Sequence, residues 1–425
     1  MVKILVIGGG WSGCGAALAA AKAGAEVTLL ERTDQLLGTG LVGGIMRNNG
    51  RYTAAEEAIA LGGGEFFQAT DKVARHCNID FPGHRHASLY DVAKIEPLVR
   101  ALLLERGIDI QFENRATGVC LERDSLQGVR TNTGRQFEAD VFVETTGTAG
   151  SQGNCSKYGQ GCVMCVLRCP SYGPRVSIAA QAGIKEMMGG SSLGTLGAMS
   201  GSCKLLKESL SLEIQEKLAR TGVAVVPLPP HLKKKDLAKK ACQQYALGEY
   251  AENIILLDTG HAKMMTAFFP LDQLRSIPGF ERARYEDPYA GGKGNSIRYM
   301  AISPRDNYLK VKGLKNLFCG GEKAGPFVGH TEALVTGSLA GHNAVRLACG
   351  KDLLELPRSL AIGDAIAYVR EQLQTTAGLR QKYTFSGSVY FERMQKLGLY
   401  TTDKEKIAAR VAAAGLAGIY NRRIV

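Results

Sequence analysis

The apolar positions at the start of the chain predict a strand, a helix and a second strand in direct succession. Ile4–Ile7 form a continuous apolar run, which is typical of a strand buried on both faces of a parallel sheet. An alanine-rich stretch follows and predicts a helix, and a second apolar run then ends at Glu31. This order of elements predicts an α/β fold with a parallel sheet.

The turn between the first strand and the helix reads Gly8-x-Gly10-x-x-Gly13. The first glycine permits a tight turn, the second lets a pyrophosphate approach the backbone, and the third lets the helix pack closely on the strand. The helix N-terminus offers amide groups and a partial positive charge to the phosphates. Glu31 is placed to accept hydrogen bonds from an adenosine ribose and would repel a phosphate there. The motif therefore predicts a site for FAD or NAD rather than NADP.

Two later segments favour FAD. The apolar strand in ADVFVETTG runs into Gly147, which predicts a second approach of the backbone to a dinucleotide. The segment NLFCGGEKAGPFVGHTEALVTG predicts another strand, followed by Gly321 and Glu322 and then by a helix rich in small residues. The N-terminus of that helix would point toward an isoalloxazine ring. We therefore predict an FAD/NAD(P)-binding Rossmann-like domain of the two-dinucleotide-fold, glutathione-reductase type.

The same patterns predict the domain organisation. We assign residues 1–150 and 300–360 to a discontinuous FAD-binding domain and residues 151–300 to an inserted cysteine-cluster and substrate or cap domain. Helical periodicity predicts a C-terminal helical tail over residues 361–425, which we expect to pack on the body or on a partner subunit. The glycine-rich stretch at residues 189–197 follows no strand and predicts a loop, so it supplies no convincing second nicotinamide fingerprint.

Composition and charge limit the class of protein. A chain of 425 residues exceeds what one compact core usually serves, and its 45% hydrophobic and 22% charged residues are ordinary for a globular protein. The glycine motif begins too early for a signal peptide or membrane span, so we expect a cytoplasmic protein without membrane association. The formal charge of +12 favours an anionic cofactor, nucleic acid or an acidic partner.

The chain resembles a known family at three segments. GGGWSGCGAALAAAKAG, GGIMRNNGRYTAAEEAIALGG and LFCGGEKAGPFVGHTEALVTGSLAGHNAV are similar to segments of the GidA-type flavoproteins, which modify the wobble uridine of tRNA, and of the related folate- and FAD-dependent tRNA uracil methyltransferases. The resemblance covers about residues 1 to 150 and 300 to 350. It implies FAD contacts at the residues of the glycine motif and of the two later segments: Gly8, Gly10, Gly13, Glu31, Gly147, Gly321 and Glu322.

The chain also departs from that family. The wobble-modifying enzymes have a functional cysteine where this chain has Gly38, and a glutamine where it has Glu322. Those enzymes have a long helical C-terminal extension, and in its place we expect only the tail from about residue 360. The resemblance therefore implies the flavin more strongly than it implies RNA modification.

Four cysteines lie within fifteen residues, with the spacing Cys155-x6-Cys162-x2-Cys165-x3-Cys169-Pro170. Bacterial ferredoxins hold iron–sulfur clusters with C-x2-C-x2-C-x3-C-P, and this stretch matches the later part of that pattern while lengthening the first gap. We predict that the four thiolates hold a [4Fe-4S] cluster, ahead of structural zinc, whose sites more often pair two C-x2-C units. A redox-active dithiol at Cys162 and Cys165 and unligated thiols are the alternatives.

The sequence predicts an FAD-dependent oxidoreductase whose iron–sulfur cluster passes electrons to or from the flavin. Its partner would be a small-molecule substrate or a redox carrier protein. An FAD-dependent enzyme that modifies uridine in tRNA or rRNA is the alternative, and a noncatalytic electron-transfer or sensor subunit is a third. Several polar residues are candidates for the surroundings of the flavin, although each taken alone is more often structural: His261, Arg298, Arg305, His330 and Glu332.

Overall fold

The structure is a computed structural model of the chain. It describes residues 1–147, 172–191, 193–194, 198–199, 202–233, 247–266, 269–286 and 297–425.

Within these residues the strands have the following bounds. They are β1 Lys3–Ile7, β2 Glu26–Leu30, β3 Ile45–Arg47, β4 Ala74–Phe81, β5 His84–Tyr90, β6 Asp109–Gln111, β7 Ala116–Glu122, β8 Ser125–Thr131, β9 Gln136–Glu138, β10 Val141–Glu144, β11 Met187–Met188, β12 Ala198–Met199, β13 Cys203–Leu205, β14 Val223–Pro227, β15 Asn253–Asp258, β16 Ala262–Met264, β17 Ile297–Arg298, β18 Ala301–Ile302 and β19 Leu317–Cys319.

The α-helices of the same residues lie between and after these strands. They are α1 Trp11–Lys22, α2 Gly40–Gly43, α3 Gly50–Ala60, α4 Glu65–Lys72, α5 Ile95–Glu105, α6 Ile178–Gln181, α7 Leu212–Thr221, α8 Gly248–Glu252, α9 Leu271–Arg275, α10 His330–Ala348, α11 Ala361–Gln372, α12 Thr376–Arg380, α13 Ser388–Lys396 and α14 Lys404–Ala413.

A five-stranded parallel sheet forms the centre of the molecule, with the strand order β19-β10-β1-β2-β6. The predicted α/β class is confirmed by this sheet. Ile4–Ile7 of β1 are buried because β1 is the middle strand, with neighbours on both sides. The glycine motif follows β1, and the segments around Gly147 and Gly321 follow β10 and β19. All three therefore lie at the same carboxyl edge of the sheet, which is where open α/β sheets bind ligands.

Helices α1 and α10 pack against each other at backbone distance. A Cβ atom on Gly337 would lie 2.0 Å from the carbonyl oxygen of Ser12, and one on Gly341 would lie 2.1 Å from that of Ala16. Real Cβ atoms do not approach backbone atoms so closely, so these two positions of α10 accept only glycine. The small residues that the sequence shows in both helices thus bring two helix N-termini together at the carboxyl edge of the sheet.

A second group of sheets lies outside the parallel one. Strands β13-β16-β15-β14 form an antiparallel sheet with its own core, which includes Leu205, Ile214, Leu256 and Phe280. Strands β3-β5-β4 form another sheet, whose apolar residues pack on β15 in a separate buried cluster. Strands β3, β4 and β5 thus pack against the antiparallel sheet, whereas α3 and α4, which lie between β3 and β4 in the chain, belong to the main core with the parallel sheet. The sequence did not indicate this arrangement. The predicted domain boundaries stay predictions.

The C-terminal residues pack on the body of the same chain. The carboxylate of Glu57 in α3 accepts hydrogen bonds from the amides of Ala361 and Ile362, at 2.8 and 3.0 Å, and so closes the N-terminus of α11. Near the end of the chain, the amide of Ile424 donates to the carbonyl oxygen of Ala23, 2.8 Å away, at the end of α1. The predicted helical periodicity of the tail corresponds to α11 and α14.

His342 in α10 makes the stability of the protein depend on pH. It is fully buried, packs edge-on against Tyr420, and neither of its ring nitrogens has a hydrogen-bond partner among the described residues. Burial, and secondarily the charge of Arg346, lower the pKa of His342 from 6.5 to about 4. The folded state therefore binds fewer protons than the unfolded state between these two values, so stability is complete above pH 6.5 and falls as the pH drops toward 4.

We expect His342→Leu to remove this dependence. Relative to the variant, the wild-type protein should lose about 3 kcal/mol of unfolding free energy between neutral pH and pH 4, because each pKa unit corresponds to about 1.4 kcal/mol. Urea denaturation at a series of pH values measures the difference. His231→Leu, at an exposed histidine, is the control and should follow the wild type. If the unfolding free energies of the wild type and of His342→Leu depended on pH in the same way, His342 would not be the cause of the loss of stability at low pH.

Candidate functional site

The three glycines of the β1–α1 turn occupy the three positions that the motif requires. Gly8 has φ +106°, a conformation that favours glycine, and a Cβ on it would lie 2.6 Å from the carbonyl oxygen of Thr145. A Cβ on Gly13 would lie 1.8 Å from the carbonyl oxygen of Gly8, so the absence of a side chain lets α1 pack on the turn. A Cβ on Gly10 would meet nothing within 4 Å. The open space beside Gly10, at the N-terminus of α1, fits a pyrophosphate.

Glu31 lies directly after β2 and is held beside the glycine turn. Its carboxylate accepts hydrogen bonds from the amide of Gly9 at 2.8 Å, from the amide of Thr33 at 2.9 Å and from the hydroxyl of Thr33 at 3.0 Å. The side chain is largely buried. These three bonds fix the carboxylate at the end of β2 where the motif places the adenosine ribose.

The ends of β10 and β19 bring the remaining predicted residues to the same edge. Gly147 has φ +67°, and a Cβ there would meet nothing within 4 Å. The amide of Gly321 donates to the hydroxyl of Thr336 in α10 at 2.8 Å, and a Cβ on Gly321 would lie 3.0 Å from Cβ of Ser12 in α1. Glu322 is partly buried in the same short 3-10 turn. The seven predicted cofactor residues therefore follow the carboxyl ends of three neighbouring strands and of β2.

The N-terminus of α10 meets the N-terminus of α1 at this edge. His330 is the first residue of α10 and Trp11 the first residue of α1, and their ring centroids lie 6.1 Å apart. The imidazole packs on α2, where a Cβ on Gly43 would lie 1.8 Å from its Cε1 atom. Two helix N-termini, each with a partial positive charge, thus border one site, which suits a ligand with negative charge at two places.

A buried charge cluster that the sequence did not indicate lies behind the end of β10. Glu144 and Lys323 are fully buried, with 3.6 Å between Oε1 and Nζ, and Lys323 also forms a salt bridge with Glu186. The Glu144 carboxylate accepts the amides of Ile178 and Ala179 at the start of α6, both at 2.9 Å. Burial raises the pKa of Glu144, but the Lys323 ammonium and these amides outweigh it, so the net pKa is lowered. The only sequence signal was a glutamate at the end of an apolar strand.

Two lysines of the antiparallel sheet form hydrogen bonds with the main chain of α2. Lys204 in β13 and Lys263 in β16 are direct partners in the ladder, and their ammonium groups donate to the carbonyl oxygens of Leu41 and Val42, both at 2.8 Å. Cations at the carbonyl end of a short helix are favourable. The sequence gave no sign of this pair, because nothing in it brings β13 and β16 to α2.

A cavity of about 450 Å³ lies beside these lysines, between α5, the segment before α2, and the antiparallel sheet. Its lining is mostly polar and includes residues of both charges: Gln35, Leu41, Val92, Ala93, Glu96, Pro97, Arg100, Lys204 and His261. Its volume is in the range of small-molecule sites.

The structure places two other polar residues that were predicted near the flavin, His261 and Arg305, in different surroundings. His261 borders the cavity, and its Nδ1 lies 3.2 Å from the Glu286 carboxylate. Burial outweighs the opposing charge of Glu286, so the pKa of His261 is lowered from its usual value. Arg305 is buried and donates to the main-chain carbonyls of Ala324, Asp306 and Ile366, which is a structural role.

Glu332 and Arg298 complete the candidate list. Glu332 forms a buried salt bridge with Arg51, at 3.0 Å, and so joins α10 to α3. Arg298 lies in β17, and its side chain is outside the described part of the structure.

The predicted cluster ligands Cys155, Cys162, Cys165 and Cys169 lie outside the described residues. Within the described part of the chain, no group of three or more histidine, cysteine, aspartate or glutamate side chains is arranged to hold a metal ion. Two described cysteines near the site, Cys14 and Cys319, are buried, and burial raises their pKa, to about 12 for Cys319. They therefore stay as neutral thiols. In the same described part, no helix is both long enough and apolar enough to cross a membrane.

The fold and the glycine turn define a class, the flavoproteins with an FAD-binding Rossmann-like domain. The model of one family of this class, described as glucose inhibited division protein A, matches residues 3–267 and 259–352 of the chain. The protein therefore belongs to the GidA family of FAD-dependent flavoproteins.

Two solved structures have the same fold. The structure of GidA from Aquifex aeolicus in its form II crystal is similar with a TM-score of 0.71 and 18% sequence identity, over 97% of this chain and 72% of that chain. The form I crystal gives a TM-score of 0.62 and 16% identity, over 97% of this chain and 78% of that chain. The predicted Rossmann-like flavoprotein fold is thereby confirmed. At this level of identity the likeness concerns the fold alone.

Proposed function

We propose that the protein is an FAD-dependent oxidoreductase that holds FAD noncovalently at the carboxyl edge of the parallel sheet. The open space beside Gly10, between two helix N-termini, is the observation that carries this proposal. Gly8, Gly10 and Gly13 would receive the pyrophosphate, Glu31 the ribose, and Gly147, Gly321 and Glu322 the remainder of the cofactor. Bound FAD supplies hydride or paired-electron chemistry at the flavin, and the protein orients it and excludes water.

We further propose that Cys155, Cys162, Cys165 and Cys169 hold a [4Fe-4S] cluster that exchanges single electrons with the flavin. The ferredoxin-like spacing supports this. The described residues that flank the cysteine segment give a second argument. Gly147 follows β10, and the carbonyl oxygen of Gly173 accepts a hydrogen bond from Arg32, just after β2, at 2.8 Å. The segment therefore starts and returns at the edge of the sheet where we place the flavin.

Cysteine replacement tests the cluster. Anaerobically purified protein should contain about four iron and four acid-labile sulfide atoms per chain, together with FAD. Its absorption spectrum should combine flavin bands with a broad shoulder that dithionite bleaches. Cys162→Ser with Cys165→Ser should lose the iron and keep the FAD, because the nucleotide contacts lie on other elements. Cys77→Ser, at an exposed cysteine, is the matched control and should keep both. One zinc ion per chain would contradict the cluster and indicate a zinc site instead. FAD without any bound metal would contradict it as well and favour a dithiol.

A second candidate is an FAD-dependent enzyme that modifies uridine in tRNA or rRNA. Membership of the GidA family and the formal charge of +12 favour it. Gly38, where the wobble-modifying enzymes have a functional cysteine, weighs against it, and its φ of +46° is a conformation that a cysteine rarely adopts. This candidate predicts that tRNA copurifies with the protein and that the affinity falls steeply as salt is raised. Binding that is absent or insensitive to salt would exclude it.

For the oxidoreductase we propose a small molecule or a redox carrier protein as the electron-exchange partner. The cavity of about 450 Å³ beside α2 supports the small molecule, because Leu41 forms part of both the cavity wall and the short helix next to the glycine turn. Lys204 and His261 offer donors for an anionic group there.

A further inference from the structure

The cavity of about 450 Å³ beside α2 lies next to the glycine turn. Gln35 forms part of its wall, and two residues later the amide of Leu37 donates to the carbonyl oxygen of Gly9 at 2.7 Å. The amide of Leu36 donates to the carboxylate of Glu96, a residue of α5 that also lines the cavity, at 3.2 Å. One short segment between β2 and α2 therefore borders the cavity and contacts the glycine turn.

Arg100 in α5 lines the cavity with a guanidinium group that is held from two sides. Its Nε and Nη2 atoms donate to one oxygen of the Glu96 carboxylate, at 2.9 and 2.6 Å, and Nη2 lies 3.4 Å from the carbonyl oxygen of Asp34. The group also lies over the ring of Phe112, 4.6 Å from the ring centroid. Among the described residues, Nη1 with its two N–H groups has no hydrogen-bond partner. A fixed guanidinium group thus keeps one nitrogen available to a ligand.

The side chains that line the cavity carry a surplus of positive charge. Arg100 and Lys204 are cations, and Glu96 is the only carboxylate among the described lining residues. The pKa of His261 is lowered by burial, which outweighs the charge of Glu286, so its imidazole is mostly neutral near pH 7. Two cations against one carboxylate leave one positive charge. A ligand with a single negative charge would balance it.

We propose that this cavity binds a small molecule with one carboxylate group, to which Arg100 donates from Nη1 and for which Lys204 supplies the second positive charge. The inference rests on the function proposed above, because it gives the small-molecule substrate of the FAD-dependent oxidoreductase a chemical class. A guanidinium group suits a carboxylate, since both groups are planar and hydrogen bonds between them are charge-assisted. An uncharged molecule of the same shape would leave the surplus charge unbalanced.

Acetate, acetamide and inorganic phosphate are the probes that test the ligand class. Saturation-transfer NMR on the full-length protein with bound FAD, near neutral pH and at constant ionic strength, measures the dissociation constant of each. Acetate should bind at least about tenfold more tightly than acetamide, which has the same shape without the charge. Phosphate should bind more weakly than acetate, because it carries more than one negative charge at this pH. Equal binding of acetate and acetamide, or tighter binding of phosphate, would overturn the proposal.

Two pairs of variants test the position of the site. Arg100→Gln, which can still donate to Glu96, should weaken acetate binding about tenfold, whereas Arg106→Gln, at an exposed arginine directly after α5, should leave it unchanged. Lys204→Gln should weaken acetate binding to a similar extent, and Lys217→Gln, at an exposed lysine of α7, should not. If acetate bound to Arg100→Gln and Lys204→Gln as tightly as to the wild type, the cavity would not be its site.

FAD content and urea unfolding, measured on the same samples, separate this proposal from the proposed function. Protein that holds FAD but binds no acetate would overturn the carboxylate site alone. Protein that binds acetate as expected but no FAD would overturn the flavin function and support the site. If Arg100→Gln did not fold, Lys204→Gln and the comparison of acetate with acetamide on the wild type would still decide.

Discussion

Replacing Gly10 by alanine is expected to leave the fold intact and to weaken FAD binding at least tenfold. Gly10 has φ −68° and ψ 179°, an extended conformation that alanine adopts, and a Cβ there would meet nothing within 4 Å. The stability of the FAD-free protein should therefore change by less than about 1 kcal/mol. The methyl group would, however, occupy the space in which we place the pyrophosphate. Titration with FAD, followed by quenching of Trp11 emission, measures the loss.

Gly13→Ala is the matched variant, in which the added methyl group should disturb the packing of α1 rather than fill the space for the pyrophosphate. Its Cβ would lie 1.8 Å from the carbonyl oxygen of Gly8, so α1 must move away from the turn. We expect a loss of about 3 kcal/mol of unfolding free energy, at the upper end of overpacking penalties, together with the loss of FAD. Urea denaturation of the FAD-free proteins separates the two variants. If Gly10→Ala bound FAD with wild-type affinity, the pyrophosphate could not lie beside Gly10.

Arg51→Met is expected to destabilise the protein by about 3–5 kcal/mol, because it leaves a buried carboxylate without its cation. Arg51 Nε lies 3.0 Å from both carboxylate oxygens of Glu332, and the exposed fractions of the two side chains are 5% and 1%. The same carboxylate accepts the amide of Phe385 at 2.8 Å. The pair therefore holds α3, α10 and the segment around Phe385 together. Thermal and urea unfolding measure the effect.

Two further variants decide whether the charge is the cause. Lys315→Met removes the cation of an exposed pair, with 69% and 47% of the side chains of Lys315 and Asp124 exposed, and should have no measurable effect. Arg51→Met combined with Glu332→Met removes both charges and should recover part of the stability that the single change loses. If Arg51→Met were as mild as Lys315→Met, the pair would not stabilise the junction between α3 and α10.

The elements that carry the proposed nucleotide site could be predicted because each of them is local in the sequence. The apolar run Ile4–Ile7, the spacing of Gly8, Gly10 and Gly13, and Glu31 lie within one strand–helix–strand unit, whose geometry follows from the positions of its glycines. The strand before Gly147 and the strand and helix around Gly321 were also recognised from local patterns. Parallel strands end at a common edge, so these separate segments were expected at one place.

The contacts that hold that edge together were not predictable in the same way. The Glu144–Lys323 cluster, the contacts of Lys204 and Lys263 with α2, and the Arg51–Glu332 pair join residues that are far apart in the sequence. Each of these residues is a common surface type when taken alone. Only burial makes its partner obligatory, and burial is a property of the folded chain.

The sequence by itself determined the class of fold and the position of the glycine turn between β1 and α1, because backbone conformation and the period of apolar residues are set by neighbouring residues. It also determined the spacing of the four cysteines, from which the cluster is proposed. The tertiary structure alone decided that strands β3, β4 and β5 pack on the antiparallel sheet, and that Trp11, Tyr90 and His330 meet at one point. These outcomes depend on which apolar faces are buried against each other and on how closely α1 and α10 approach, and no local pattern specifies either.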